Sequence, residues 1–206
     1  EIAAMVPPEV AADGVLNVGT NPPFAPFEFK DSQGELIGVE LDLARAAAAR
    51  RAGADVVIVA AHTGEEYQQE PTKEQIQLAT RLTASPDVDM VYCHHSHVVQ
   101  PWAKVNGKLV IYGLGNLVGN QPSSMPRTHE GVVGRVTFGV KSGKASLSRA
   151  EYVPVYIGSP SEGPIRIHAV NAELSSGRGN RARLKETRRQ VSRTVRSLGV
   201  SGVSER

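Results

Sequence analysis

Histidines cluster at the ends of two apolar segments of the sequence. Residues 89–101 read DMVYCHHSHVVQP and place His94, His95 and His97 within four positions, while the earlier apolar segment DVVIVAAH ends at His62. Burying an imidazole costs solvation free energy, so histidine is rarely chosen for packing alone, and it binds divalent metals and transfers protons near neutral pH. The cluster therefore predicts metal or acid–base chemistry.

The first half of the sequence alternates between strand-like and helix-like segments. Four segments have the apolar composition of strands: VLNVGT (15–20), DVVIVAAH (55–62), VDMVYC (88–93) and KLVIYGLGN (108–116). An alanine-rich helix is predicted over 40–53. A second helix is predicted after Thr72, the N-cap, with Gln75 completing a capping box. Its apolar stripe is formed by Ile76, Ala79 and Leu82.

Right-handed β-α-β connections make successive strands parallel and bring their carboxyl ends to one edge of the sheet. The segments that follow those ends are the loop NPPFAPF (21–27), His62, the cluster at 94–97 and Asn116. We therefore expect an α/β fold with a site at this edge. The second half alternates polar and apolar residues, which predicts a hairpin through Lys141-Ser142-Gly143-Lys144 and a further strand in PIRIHAVNAEL (164–174).

Composition excludes several classes of protein. The 206 residues carry a formal net charge of +2, which by itself indicates no nucleic-acid partner, and no apolar run approaches the ~18 residues of a membrane span. The lone cysteine, Cys93, cannot form an intramolecular disulfide and is expected to be an apolar filler at the end of a buried strand. No signal segment is visible, and a start at Glu1 indicates a processed product or a fragment.

Three ordered motifs resemble those of the bacterial capsule and poly-γ-glutamate synthesis proteins, the CapA-like family. The motifs are ADVVIVAAHTGEEYQQEPTKEQ, VDMVYCHHSHVVQP and KLVIYGLGNLV, and the resemblance extends over about residues 48–185. It implies a partial metallophosphoesterase-like sandwich, with a mainly parallel N-terminal sheet, helices and antiparallel C-terminal strands. Five positions depart from the usual residues of the family while every histidine is kept: Thr63, Cys93, Ser96, Gly113 and Leu117.

The resemblance assigns roles to individual residues. The implied metal ligands and catalytic groups are the histidines that match metal-facing positions of metallophosphoesterase-like sites, His62, His95 and His97. Glu66 and Asn116 are the implied substrate contacts, and His94 is expected to lie behind the ligands.

A ligand set made only of histidines limits the number of metal ions that the site can hold. Three or four imidazoles can hold one zinc-like ion, but they do not make a bridged two-metal site. The Gly-Asp, Asn-Leu-Glu and Asn-Asn-His loops that supply the family's carboxylate and further ligands are absent from the sequence, and Glu65 and Glu66 are the nearest carboxylates. We therefore expect one divalent ion at most, zinc or manganese, and impaired catalysis.

Residues 15–48 resemble instead the start of an amino-acid-type periplasmic solute-binding protein. In such proteins a Pro-Pro-Phe-x-Phe segment lines the ligand cleft, so Phe27 would be the stacking aromatic, with Glu40 and Asp42 nearby. The implied organisation has three parts: a solute-binding-like segment at 1–47, a CapA-like half at 48–175 and a basic helical or disordered tail at 176–206.

The family resemblance implies an extracytoplasmic role at the bacterial cell surface. The expected activity is metal-assisted hydrolysis or transfer on an anionic polymer such as poly-γ-glutamate. Two alternatives stay open: an amino-acid-binding module of an ABC transporter, built on the N-terminal segment, and a non-functional recombinant. The basic tail could dock an anionic polymer or a membrane surface, although a solvated terminal helix also explains it. His129 and His168 are interpreted as ordinary surface histidines.

Overall fold

The computed structural model describes residues 29–30, 36–37, 39–119, 124–125, 127–142 and 144–206. Two compact units make up the chain, residues 1–41 and 42–206. In the first unit, strand β1 (Phe29–Lys30) pairs antiparallel with β2 (Leu36–Ile37). The predicted strand at 15–20 and the loop at 21–27, with Phe27, lie outside the described residues. Helix α1 spans Val39–Arg51.

The second unit contains a four-stranded sheet that carries the histidines. Its strands are β3 (Ile58–His62), β4 (Met90–His94), β5 (Trp102–Val105) and β6 (Lys108–Ile111), arranged in the order β3-β4-β6-β5. Strands β3, β4 and β6 are mutually parallel, which confirms the prediction for these three segments. Strand β5 was not predicted and pairs antiparallel with β6. Its turn residues Asn106 and Gly107 have φ of 49° and 78°, the positive values that a type I′ hairpin requires.

Helix α2 (Lys73–Ala84) connects β3 to β4 and begins as predicted. The Thr72 hydroxyl accepts from the Gln75 backbone N–H at 3.2 Å, and the Gln75 side chain accepts from the Thr72 N–H at 3.0 Å. The predicted apolar stripe is wrong by one position at its start, because Ile76 is 44% exposed and Gln75 is fully buried together with Ala79 and Leu82. Gln75 takes the inward position because its amide donates to Gln100 Oε1 and to a backbone carbonyl, both at 3.0 Å.

A second sheet is built around one long hairpin. Strand β7 (Glu130–Lys141) pairs antiparallel with β8 (Lys144–Ile157), which confirms the predicted hairpin. Strand β9 (Ile167–Ala169) pairs antiparallel with β8, and β10 (Val203–Glu205) pairs parallel with it. The predicted strand at 164–174 is therefore correct only at its centre, since helix α3 (Val170–Ser176) follows β9 directly and ends at Gly177 with a φ of 71°.

The basic C-terminal segment forms part of the core. Helix α4 (Arg181–Arg196) buries one face, at Leu184, Thr187, Val191 and Val195. Val191 and Val195 join a hydrophobic cluster with Trp102 of β5 and Tyr152 of β8, so the cluster contains residues of both sheets. The interpretation of this segment as a solvated terminal helix is wrong, because leucine and valine at helical spacing give α4 an apolar face that the two sheets cover.

Among the described residues, no helix is both long and apolar enough to span a membrane. The fold is mixed α/β, as predicted, with a mainly parallel sheet followed by antiparallel strands.

Candidate histidine site

Strands β3 and β4 bring the first two histidines together. Their parallel register pairs His62 with His94, the last residue of each strand. The two Nδ1 atoms lie 3.2 Å apart, close enough for one ring to donate a hydrogen bond to the other. The predicted position at the carboxyl edge of the sheet is therefore correct for both residues.

A strained turn after β4 adds the other two histidines. His95 and His97 have φ of 129° and 57°, values that non-glycine residues seldom adopt and that recur at functional sites. Between them Ser96 is buried, with its hydroxyl donating to the Val98 carbonyl at 3.0 Å and its carbonyl accepting from the Tyr67 N–H at 2.7 Å. The ring centroid of His95 lies 4.7 Å from that of His62 and 6.3 Å from that of His97.

Asn116 holds the ring of His97. The Nδ1 of His97 lies 2.9 Å from Asn116 Oδ1, while Asn116 Nδ2 donates to the carbonyls of His97 and Thr128 at 3.2 and 3.0 Å. An amide oxygen only accepts, so the bond requires the proton of a neutral His97 to be on Nδ1 and leaves a lone pair on Nε2. Sequence reasoning assigned Asn116 to substrate contact, and the structure adds this orienting role.

Two glycines allow Asn116 to reach this position. A β-carbon on Gly131 would lie 2.1 Å from the carbonyl oxygen of Asn116, and one on Gly115 would lie 2.5 Å from that of Glu130. Such distances are far inside van der Waals contact, so neither position tolerates a side chain without moving the backbone.

A short segment before α2 approaches His97 from the other side. The Oε1 of Glu66 lies 3.8 Å from His97 Nε2, and the ring of Tyr67 is stacked on that of His97 with centroids 6.1 Å apart. Both members of the Glu66–His97 pair are more than a third exposed, so the pair adds little to stability. No side-chain contact joins Glu65 to the histidines among the described residues.

A buried amide pair beneath the site braces this segment, and sequence reasoning missed it. Gln100 Nε2 donates to the Gln68 carbonyl at 2.9 Å, and Gln75 Nε2 donates to Gln100 Oε1 at 3.0 Å. Both glutamines are fully buried. The available signal was the QP that ends the histidine motif, since a polar residue after an apolar run is retained in a core only when its amide is satisfied.

Ser96 and Gly113, two of the positions that depart from the family pattern, are complementary in size. A β-carbon on Gly113 would lie 2.9 Å from the Ser96 hydroxyl, so the side chain at position 96 occupies space that the missing side chain at position 113 leaves open.

The His62 imidazole and the Cys93 thiol differ in how the protein shifts their pKa values. Desolvation, then repulsion from His94, His95 and His97, lowers the pKa of His62, which favours a neutral ring with a lone pair. Burial raises the pKa of the Cys93 thiol to about 12. Cys93 is fully buried and un-ionised at neutral pH, which confirms its prediction as a filler.

The other two histidines lie away from the cluster and are more than surface residues. His129 Nδ1 lies 3.0 Å from the Ile157 carbonyl, and His168 Nδ1 lies 3.0 Å from a carboxylate oxygen of Glu173. Both rings are partly buried. Their interpretation as ordinary surface histidines is therefore wrong, because each ties a strand or its end to a neighbouring element.

The residues fit a metal ion only in part. In the part of the chain that the structure describes, no group of three or more His, Cys, Asp or Glu side chains is arranged to hold one. The 3.2 Å between the Nδ1 atoms of His62 and His94 is near the separation of about 3.3–3.4 Å that two nitrogens have on one tetrahedral zinc ion. His95 adjoins this pair, and His97 offers the Nε2 that Asn116 leaves free.

Comparison with known proteins identifies relatives of two kinds. The PGA biosynthesis protein CapA of Bacillus subtilis is 34% identical over 113 residues, which cover 55% of this chain and 28% of that protein. The arginine-binding protein ArgT of Corynebacterium glutamicum is 67% identical over 48 residues, which cover 23% of this chain and 16% of that protein. The chain thus spans less than a third of the length of either relative.

The solved structure of the calcineurin-like phosphoesterase YfkN from Bacillus subtilis matches 76% of this chain and 47% of its own, at 19% identity and a TM-score of 0.40. That likeness is too loose to support a conclusion.

A protein-family model also matches the chain. The model described as "Bacterial capsule synthesis protein PGA_cap" matches residues 17–121, just over half of the 206 residues, and the match includes His62, the cluster at 94–97 and Asn116. The matched range starts before residue 48, where the resemblance carried by the motifs begins, and it ends before residue 185, where that resemblance ends. This chain belongs to the bacterial capsule synthesis protein family, PGA_cap.

Proposed function

We propose that this chain acts on an anionic capsule polymer such as poly-γ-glutamate at the bacterial cell surface, by hydrolysis or transfer at the histidine site. The observation that carries the proposal is the convergence of His62, His94, His95 and His97 at strand ends, with His97 held by Asn116. Membership of the capsule synthesis family supports the polymer as substrate, as does the relative named for PGA biosynthesis, CapA of Bacillus subtilis.

His97 is the best-prepared proton acceptor of the site. Its Nδ1 is engaged by Asn116, so Nε2 carries the lone pair, and the Glu66 carboxylate 3.8 Å from that nitrogen would stabilise the imidazolium formed when it takes a proton. Histidine changes charge in the physiological range, which suits it to remove a proton from an attacking water and return it to a leaving group. We propose that Glu66 and Asn116 also contact the substrate.

We further propose that the site binds one divalent ion at most, zinc or manganese, through His62, His95 and His97, with His94 close to the first of these. The single lone pair on His97 Nε2 binds the ion or accepts a proton but not both, so His97 is the proton acceptor of the metal-free site, and His94 is the adjacent histidine that would take the proton when the ion is bound. Such an ion would polarise a carbonyl or phosphoryl oxygen and activate a water.

Elemental analysis after dialysis against zinc or manganese tests the metal proposal. We expect no more than one ion per chain, with most of it lost in His95→Ala and retained in the matched variant His168→Gln. Two ions per chain, or full occupancy of His95→Ala, would contradict it.

Polymer cleavage tests the function itself. The chain is incubated with poly-γ-glutamate, with and without manganese, and the length of the polymer is followed by gel filtration. We expect slow shortening that requires the metal and stops with a chelator, while uncharged dextran is unchanged. A polymer of constant length under every condition would overturn the proposal.

Amino-acid binding is a second candidate because of the 67% identity to ArgT over 48 residues and the 57% identity of 30 residues to the histidine-binding periplasmic protein of Escherichia coli. The matched lengths are 16% and 12% of those proteins, whereas a solute cleft is formed by two lobes. Calorimetric titration with arginine and histidine distinguishes the candidates. Micromolar affinity would favour the binding module, and no heat of binding would favour the capsule function.

A further inference from the structure

A basic groove runs along the exposed side of α4. It is an open groove with a volume of about 540 Å³. Its lining residues, which define the α4 groove, come from α3 and α4: Leu174, Arg181, Lys185, Arg188, Arg189 and Ser192. Four of these six residues are cationic, so the groove favours negatively charged ligands.

The cations of the α4 groove keep hydrogen-bond donors available. Arg188 Nε donates to Glu205 at 2.5 Å, and Arg189 donates to Glu186 through Nε and Nη2. A guanidinium has five N–H donors, so each arginine retains some that face no carboxylate. Lys185 has no side-chain partner among the described residues, and Arg181 donates from Nη1 to the Leu174 carbonyl at 3.4 Å.

The chemistry of the α4 groove favours a flexible polyanion over a membrane or a nucleic acid. A helix that binds a membrane surface inserts an apolar face, but the apolar face of α4, at Leu184, Val191 and Val195, is buried in the core. Single-stranded nucleic acids need aromatic rings on which bases stack, and the groove has none. Guanidinium and ammonium groups spaced along a helix suit carboxylates spaced along a chain.

We propose that the α4 groove is a binding subsite for a linear polycarboxylate, separate from the histidine site. The choice of a polycarboxylate rests on the proposed function, since a capsule polymer of this kind extends over many residues and needs a hold beyond the reacting unit. Binding at the groove would raise the local concentration of polymer at the chain without taking part in the chemistry.

The test compares two double charge reversals. Arg181→Glu/Lys185→Glu alters the groove at two exposed residues that lack an ion pair. Arg181 is in the first turn of α4, where an acidic residue is favourable, and a glutamate replacing Lys185 would lie four residues before Arg189, so α4 should stay folded. Lys141→Glu/Lys144→Glu makes the same change in net charge at two exposed residues of the β7–β8 hairpin, which lie outside the groove and likewise lack an ion pair among the described residues. Thermal melting monitored by circular dichroism verifies folding of both variants.

The affinity of fluorescent poly-γ-glutamate is measured at low salt by microscale thermophoresis. We expect the groove variant to bind at least about tenfold more weakly than the parent and the control variant to differ by less than about threefold, because only close charges are strongly coupled at moderate ionic strength. Equal losses in both variants, or no measurable binding by the parent, would overturn the proposal. Binding of phosphatidylserine vesicles or oligo-dT through Arg181 and Lys185, with the polymer unaffected, would also overturn it.

Polymer cleavage by the parent, measured beside binding, separates this inference from the function on which it rests. Polymer binding that depends on the groove, without any cleavage by the parent, would contradict the proposed function and leave the subsite supported.

Discussion

The Nδ1 of His97 lies 2.9 Å from Oδ1 of Asn116, although the two residues are 19 positions apart in the sequence. The bond selects one tautomer of the ring and leaves Nε2 available at the carboxyl edge of the sheet. Asn116 is itself held by the carbonyls of His97 and Thr128, so the orientation of the ring depends on the backbone around it.

Removing Asn116 should weaken catalysis without removing a histidine. We expect Asn116→Ala to lower the rate of polymer cleavage by about 10- to 100-fold, the usual effect of losing a group that orients a ligating or catalytic histidine. Nitrogen chemical shifts of the His97 ring should also show loss of the Nδ1–H tautomer. The neighbouring Leu117 is 51% exposed, so Leu117→Ala should change neither measurement. An unchanged tautomer in Asn116→Ala would contradict the orienting role.

Gly131 should tolerate no side chain. The β-carbon of Gly131→Ala would lie 2.1 Å from the Asn116 carbonyl oxygen, so we expect the free energy of unfolding to fall by about 1–3 kcal/mol or more. Gly139 is on the same strand, and the nearest atom to its added β-carbon is 3.9 Å away, which makes Gly139→Ala the matched control. Urea denaturation of the two variants checks the difference, and equal midpoints would show that the close approach is not rigid.

Replacing Gln75 should lower the free energy of unfolding more than replacing its apolar neighbour Ile76. We expect Gln75→Ala to cost about 1–3 kcal/mol of unfolding free energy, because it leaves Gln100 Oε1 and a backbone carbonyl without their donor in a buried place. Ile76→Ala should stay within about 0.5 kcal/mol, since Ile76 is 44% exposed. Chemical denaturation measures both values. A larger loss for Ile76→Ala would restore the stripe predicted from the sequence.

The ionisation of Glu205 should make the stability of the fold depend on pH. Burial opposes its ionisation, but hydrogen bonds from Ser192, Asn171 and Arg188 outweigh burial and lower the pKa of its carboxyl group. A depressed folded-state pKa contributes stability that is fully present above the unfolded value of about 4.3 and is lost as the pH falls through the lower, folded value.

Glu205→Gln removes this dependence. We expect the variant to be less stable at pH 7 by about 1–2 kcal/mol and to lose less stability than the parent on acidification below about pH 4.3. Thermal melting as a function of pH measures the difference. Parallel curves for parent and variant would mean that the carboxylate is not preferentially ionised in the folded state.

The sequence predicted the parts of the fold in which local pattern and tertiary structure agree. Strands β3, β4 and β6 have apolar runs that the parallel sheet buries, and the Thr72 capping box is a local signal that needs no tertiary contact. Strand β5 was missed because Trp102–Val105 is a short run whose partner is only evident once Asn106 and Gly107 are recognised as a hairpin turn. Helix α3 was missed because its seven residues follow a strand without a break.

The sequence predicted which residues form the candidate site better than it predicted the contacts between them. Strand ends indicated that His62 and the cluster would meet, and their ring centroids do lie within 4.7 Å. The closest imidazole nitrogens belong to His62 and His94, however, and this follows from cross-strand register, which a sequence pattern does not specify. The apolar face of α4 could likewise be seen in the spacing of Leu184, Val191 and Val195, but not the two sheets that cover it.

The most direct test of the central claim, that the histidine site processes an anionic polymer, is the ratio of poly-γ-glutamate cleavage rates in the parent chain and in His97→Ala. We predict a fall of at least about 100-fold, the lower end of the range for removing a general base. His168→Gln, which changes a histidine outside the cluster, should cleave at the parent rate. Equal rates in the parent and His97→Ala would contradict the assignment of the reaction to this site.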